Sequence, residues 1–187
     1  LYNCEWDNNG KQPELKFNGS NSYADLGIIT DDLSKGFTIN LMTYIESNKR
    51  WARFIDIGVG QANNNILIAR EGSSNNLTMQ IYHNGNAVCE ITAPNALEEK
   101  KWIMLTASMD ANGNAAIYKN GKKLVSKKQT PPLNTVRTSC YIGKSNWSSD
   151  EYFHGRIGEV NIFKRCLSDA EISSLYNTTE DAAKNDI

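Results

Sequence analysis

Along most of the chain, short stretches alternate apolar and polar side chains and are separated by turn-forming residues, the pattern of an all-β sandwich or barrel. The longest such run is 36–46, where Phe37, Ile39, Leu41, Thr43 and Ile45 share one face by the strand period of two. Shorter runs at 14–18, 22–27, 65–70, 76–82 and 86–92 predict further strands. So do 101–109, 114–119, 138–143 and 155–164. In 52–59 the alternation directs Phe54 away from Ile55 and Ile57. Asn120-Gly121 joins 114–119 to 122–127 as a hairpin, because this pair adopts the positive φ values of a type I′ turn. Pro131-Pro132 then interrupts the pattern.

One segment reads as a helix. Ser168-Asp169-Ala170-Glu171 is a capping box, and Ile172, Leu175 and Tyr176 follow at helical spacing to dock on the sandwich edge. The polar tail after Tyr176 is expected to fray. The fold class predicted is an all-β, two-sheet antiparallel jelly-roll sandwich with one short C-terminal helix. It forms a single domain over 1–187 with its core at about 14–176, without linker or repeat.

The 187 residues fit one such domain, and 40% of them are hydrophobic, enough for a packed core. Twenty Lys+Arg against 21 Asp+Glu give a formal net charge of −1, no footprint for nucleic acid or an anionic membrane. The apolar runs all fall well short of the roughly 18–20 residues of a membrane span, so membrane insertion is not expected. Starting at Leu1, the chain reads as an excised domain or a mature form. Cys4, Cys89, Cys140 and Cys166 lack CxxC spacing, which argues against a thiolate metal site. Cys4 and Cys166, near the two termini, are the expected disulfide if one forms, whereas Cys89 and Cys140 read as buried apolar residues. Asn18, Asn76, Asn146 and Asn177 match the N-glycosylation triplet, although in so Asn-rich a chain such residues chiefly mark turns.

A catalytic constellation is not legible. There are two histidines, His83 and His154, and no nucleophile motif. A sandwich glucanase needs acids in line on one strand face, and no strand supplies them. The chain is therefore read as a non-enzyme.

From Lys101 onward the order of features is specific: Lys101–Ala107, Asp110, Ala116–Lys122, Tyr141-Ile142-Gly143, Phe153–Val160 and Leu167–Ile172. With Leu15–Gly19 and Tyr23 upstream, this succession resembles the laminin-G-like jelly rolls of the concanavalin A-like lectin/glucanase superfamily. The resemblance implies two curved sheets packed face to face and, most often, a binding role. The stretch Gly155–Phe163 is similar to a pentraxin strand, and Asn63–Ile68 to a pentraxin calcium-loop segment, which carries Asn64 over as a calcium ligand. The loop after Gly143 reads Lys144-Ser145-Asn146-Trp147 where that pattern is acidic.

Trp147 is the foremost binding candidate. It lies in the polar loop 144–152, where an exposed indole would stack on the apolar face of a sugar while Asn146 takes hydroxyls; the alternative is a lid packed on the sandwich edge. Tyr152 and His154 flank the same loop, Arg137 is placed to hold the carboxylate of an acidic sugar, and Trp51 is expected at the opposite rim. Trp102 and Trp6 are expected in the core, and Lys122, Lys123, Lys127 and Lys128 form an edge-protecting hairpin. Asp150 and Glu151, with Asn64 or Asp56, are the hard oxygens that would hold calcium, the one cofactor considered. The expected function is a carbohydrate-binding or adhesion module, outside the cell or at its surface, whose partner is a glycan or glycoprotein. The alternatives are a protein-interaction domain without a sugar site, or an accessory domain of a glycoside hydrolase.

Overall fold

The computed structural model describes residues 1–8 and 13–184, with side chains through residue 179. Asn9 of the Asn8-Asn9 run and residues 185–187 of the tail lie outside the described residues. In chain order the strands are β1 (Glu5–Asp7), β2 (Glu14–Asn18), β3 (Ala24–Asp25), β4 (Gly36–Ser47), β5 (Arg53–Gly58), β6 (Ile66–Arg70) and β7 (Leu77–His83). They continue as β8 (Asn86–Ala93), β9 (Trp102–Asp110), β10 (Asn114–Lys119), β11 (Lys122–Lys128), β12 (Ser139–Ile142) and β13 (His154–Phe163), before helix α1 (Asp169–Lys184). Two antiparallel sheets result, one of seven strands in the order β1-β2-β13-β4-β9-β10-β11 and one of six in the order β3-β12-β5-β6-β7-β8. This is the two-sheet sandwich that the alternation predicts.

Between the sheets, Phe37, Ile39, Leu41 and Ile45 of β4 meet Ile55, Ile57, Ile66, Ile68, Met79 and Ile81 of the facing sheet. A register shift between Arg53 and Ile55 departs from strict alternation. It brings Phe54 into the same core as Ile55, with its ring 5.4 Å from that of Phe153, and leaves Arg53 on the outer face. The β10–β11 hairpin turns as expected at Asn120 (φ 50°) and Gly121 (φ 75°).

The capping box forms, with the Ser168 N–H donating to Glu171 Oε2 at 2.8 Å. Leu167, Ile172, Leu175 and Tyr176 pack on Met104, Ala116 and Tyr118, so α1 covers part of the outer face of the seven-stranded sheet rather than an edge. It also continues past Tyr176 to Lys184, because the segment following it carries the helix formers Glu180, Ala182 and Ala183.

Three other expectations are corrected. Cys4 and Cys166 are both free: the first donates to the Tyr2 carbonyl beside β1, the second to that of Leu167 before α1. Cys89 and Cys140 are buried, as read. Trp6 is 58% exposed on the short edge strand β1, and Trp102 lies on the outer face of its sheet, its ring tilted against Tyr44 and beside the Arg156 guanidinium rather than in the core.

Candidate binding surface

Register places Tyr141, Asp56, Leu67, Gln80 and Glu90 in one row across β12, β5, β6, β7 and β8. The row faces away from the core, yet Asp56 and Leu67 are fully buried and Gln80 nearly so, because the sheet is covered on this side too. Loop 144–152 supplies part of that cover. The Asn146 N–H donates to Asp56 Oδ2 at 3.0 Å, and its side-chain amide donates to the Ser139 carbonyl at 3.1 Å. Ser145 Oγ donates to Asp150 Oδ2 and accepts from the Trp147 N–H, closing a tight turn.

Arg53 occupies the centre. Its guanidinium donates to Asp150 at 2.8 Å and to the Trp51 carbonyl at 2.8 Å, and lies 3.6 Å from Asp56. Its Cζ sits 5.7 Å from the Trp51 ring centroid and 5.2 Å from that of Trp147, within cation–π range of both. Tyr82 completes the group, its ring 5.1 Å from Trp147. Burial raises the pKa of Asp56, opposed by Arg53, the Asn146 N–H and the Asn65 amide. Trp51 holds a left-handed φ of 53°, a conformation a bulky side chain rarely adopts, fixed by its N–H bond to the Gly72 carbonyl.

The sequence-predicted residues therefore divide. Trp147 and Asn146 are in this surface, but the Asn146 amide braces the loop instead of facing outward. Trp51 is not at an opposite rim; it meets the same Arg53 guanidinium as Trp147. Tyr152 joins a neighbouring tyrosine group around Tyr23. His154 lies on the other sheet's outer face, its Nδ1 2.7 Å from Ser47 Oγ. Arg137 is not a sugar ligand: fully buried, it donates to the carbonyls of Asn64, Thr135 and Leu133. Arg53 and Tyr82 were missed. The signal for Arg53 was present, since two charges three residues apart in an apolar strand (Arg53, Asp56) are expected to be paired when buried.

The acids considered for calcium already have partners within the chain. The Arg53 guanidinium already lies between Asp56 and Asp150, Glu151 accepts from the Arg50 N–H, and Asn64 donates through Nδ2 to Asn63 while its Oδ1 is buried without a hydrogen-bond partner. Among the described residues no three His, Cys, Asp or Glu side chains converge as a metal site. Two clefts lie elsewhere. One, of about 330 Å³, is lined by Asp7, Lys16, Glu46, His154 and Arg156 on the seven-stranded sheet; the other, of about 590 Å³, by Arg70, Glu98 and Glu99. In the first, Asp7 pairs with Lys16, Glu46 with Lys100 and Arg156 with Glu14.

This fold places the chain in a known group: it belongs to the concanavalin A-like lectin/glucanase superfamily, whose laminin-G-type model matches residues 18–173. Among solved structures, domain 4 of AbnA, an extracellular arabinanase from Geobacillus stearothermophilus in complex with arabinotriose, superposes with TM-score 0.71. Identity is 17%, over 92% of this chain and 81% of that one. The CBM40 of the Ruminococcus gnavus IT-sialidase, bound to α2,3-sialyllactose, matches with TM-score 0.70 at 15% identity, over 87% of this chain and 96% of that one. The binding domain of botulinum neurotoxin serotype G gives TM-score 0.63 at 20% identity; the match covers 95% of this chain but 45% of that one. At such identities the likeness is one of fold. No curated protein matches the chain in sequence.

Proposed function

We propose that the chain is a non-catalytic carbohydrate-binding or adhesion module, working outside the cell or at its surface, with a glycan or glycoprotein as partner. The observation that carries this reading is the pair of half-buried indoles, Trp51 and Trp147, that share the Arg53 guanidinium. A fixed indole offers its remaining surface to the C–H face of a sugar ring, and the exposed Ser148 and Ser149 next to it offer hydroxyls. Two of the fold neighbours, by their own descriptions, hold arabinotriose and sialyllactose, which fits a sugar ligand here. The ion-paired acids of the cleft lined by Asp7, Lys16 and Glu46 give no support to acid/base catalysis. Arg53 supplies the positive charge between Asp56 and Asp150, so binding needs no calcium at those acids.

A glycan array followed by titration calorimetry tests the reading. Trp147→Ala is expected to weaken binding at least about tenfold, as loss of a stacking partner does, while a chelator leaves it unchanged. Absence of any glycan ligand, or unchanged affinity in a folded Trp147→Ala, overturns it. A second reading, docking of a protein partner, rests on Ile28, Val136 and Leu133. They are 66%, 49% and 42% exposed on segments joined by the Ile29–Arg137 bridge.

A further inference from the structure

Beside the tryptophan surface, at the β3–β12 edge of the same sheet, lies a group of four tyrosines. The rings of Tyr2 and Tyr23 stack at 4.4 Å, Tyr141 meets Tyr23 edge-on at 5.6 Å, and Tyr152 stands 6.4 Å from Tyr23. Lys144 projects among them, its ammonium 4.3 Å from the Tyr23 centroid and 4.4 Å from that of Tyr141. Lys16, Lys100, Lys101, Lys119, Lys123 and Lys164 all pair with carboxylates. Lys144 pairs with none among the described residues. Nearby Asp25 accepts from the Gly27 N–H instead. Two ring faces hold the Lys144 charge in place without neutralising it. An ammonium has three N–H donors, so one held by ring faces keeps donors for an incoming anion.

Lys144 is three residues before Trp147, so their Cα atoms are at most about 11 Å apart, a span that one or two sugar rings bridge. Asp56 of the row and Asp150 of the loop face Arg53, which offsets their charge; exposed Asp25, opposite Tyr141 in the register, is the carboxylate that borders this subsite. Resting on the carbohydrate-binding reading, we infer that this surface selects anionic glycans: Trp147 stacks on one sugar while Lys144, seated on Tyr23 and Tyr141, takes a carboxylate or sulfate ester carried by that sugar or the next. Tyr23, Tyr141 and Tyr152 line this second subsite.

The test is an array holding neutral, sulfated, and sialic or uronic acid-bearing oligosaccharides, read for wild type, Lys144→Gln, Lys144→Arg, Trp147→Ala and the control Lys128→Gln on the distant β11. The strongest ligands are expected to be anionic, and the carboxylate and sulfate sets show which group is taken. Lys144→Gln is expected to weaken them about ten- to hundredfold, as loss of a charge-assisted hydrogen bond does, while Lys144→Arg and Lys128→Gln keep them. Wild-type binding should also fall as salt rises. Binding that is lost in Trp147→Ala but prefers neutral glycans, or that is unchanged in a folded Lys144→Gln, overturns this inference and leaves the carbohydrate reading standing. Binding to no glycan overturns both.

Discussion

Replacing Arg53 by methionine keeps an apolar stem of similar length and removes only the guanidinium. In the wild type that group touches two carboxylates, Asp150 at 2.8 Å and Asp56 at 3.6 Å, and Asp56 is fully buried. Without it the two acids face one another across an apolar side chain, and Asp56 keeps only its Asn65 and Asn146 donors. Breaking a buried ion pair from one side costs about 3–5 kcal/mol. Proton uptake relieves part of this. Burial already raises the Asp56 pKa above its ordinary 3.8 against the pull of Arg53, and in the variant it rises further. A carboxyl group whose folded pKa lies above its unfolded value loses stability as pH rises through the interval between the two. The deficit of Arg53→Met is thus largest above that interval and shrinks toward pH 4. Urea unfolding followed by far-UV circular dichroism measures it. At a slope of about 2 kcal/mol per molar, the midpoint should drop by about 1.5–2.5 M at about pH 7.5, and by less at about pH 5. A drop below about 0.5 M at neutral pH, or equal drops at both, would refute the view that Arg53 is the internal counter-charge of this face.

Two further outcomes follow from local geometry. Alkylation of the denatured chain without reductant is expected to modify all four cysteines. In the native chain Cys4 and Cys166 should react ahead of Cys89, whose thiol burial pushes up to about 12, and of buried Cys140; mass spectrometry reads both, and a two-group deficit restored by reductant would reveal a disulfide. Glu98 accepts from Lys101 and Lys119, which hold its carboxyl at about 2, below the ordinary 4.5. Its stabilisation is present above pH 4.5 and is lost as pH falls toward 2. Glu98→Gln should therefore lower the melting temperature at neutral pH, with the difference vanishing near the acid limit; a difference constant across that range would remove the ion pairs from the account.

The parts of the fold legible in the sequence are those encoded locally. The inward residues of β4 recur at a period of two, the Asn120-Gly121 turn is fixed by its own φ values, and the Ser168–Glu171 box is closed within one helical turn. Trp102 was misplaced because the outward row of β9 opens with two apolar residues, Trp102 and Met104, the latter packed under α1; Thr106 and Ser108 further along that row mark it as the outer one, opposite Ile103, Leu105 and Ala107. Arg137 was misplaced for a different reason. The carbonyl that holds its Nε belongs to Asn64, 73 residues away, and nothing around Pro131-Pro132 signals that contact. Nor could spacing show that loop 144–152 lies back on β5, because the bond that pins it joins Asn146 to Asp56 across 90 residues.

That long-range pinning bears on how the surface would bind. Loops lose conformational freedom when they close on a ligand, and the loss subtracts from affinity. Here the ordering is already part of the fold. Ser145, Asn146 and Asp150 are each hydrogen-bonded, and Arg53 presses against the indoles of Trp51 and Trp147, so the ring separation is set before a ligand arrives. A polar layer of Asp56, Asn65, Thr78 and Gln80 is buried beneath, on the face of the sheet turned away from the core. Burying such groups is unfavourable unless they are hydrogen-bonded, and the Asn65–Asp56 and Thr78–Ile91 bonds meet part of that requirement. Stability and recognition therefore share the same side chains: substitutions at Arg53 act on both, whereas those at Lys144, on the rim, act on recognition with little effect on the fold.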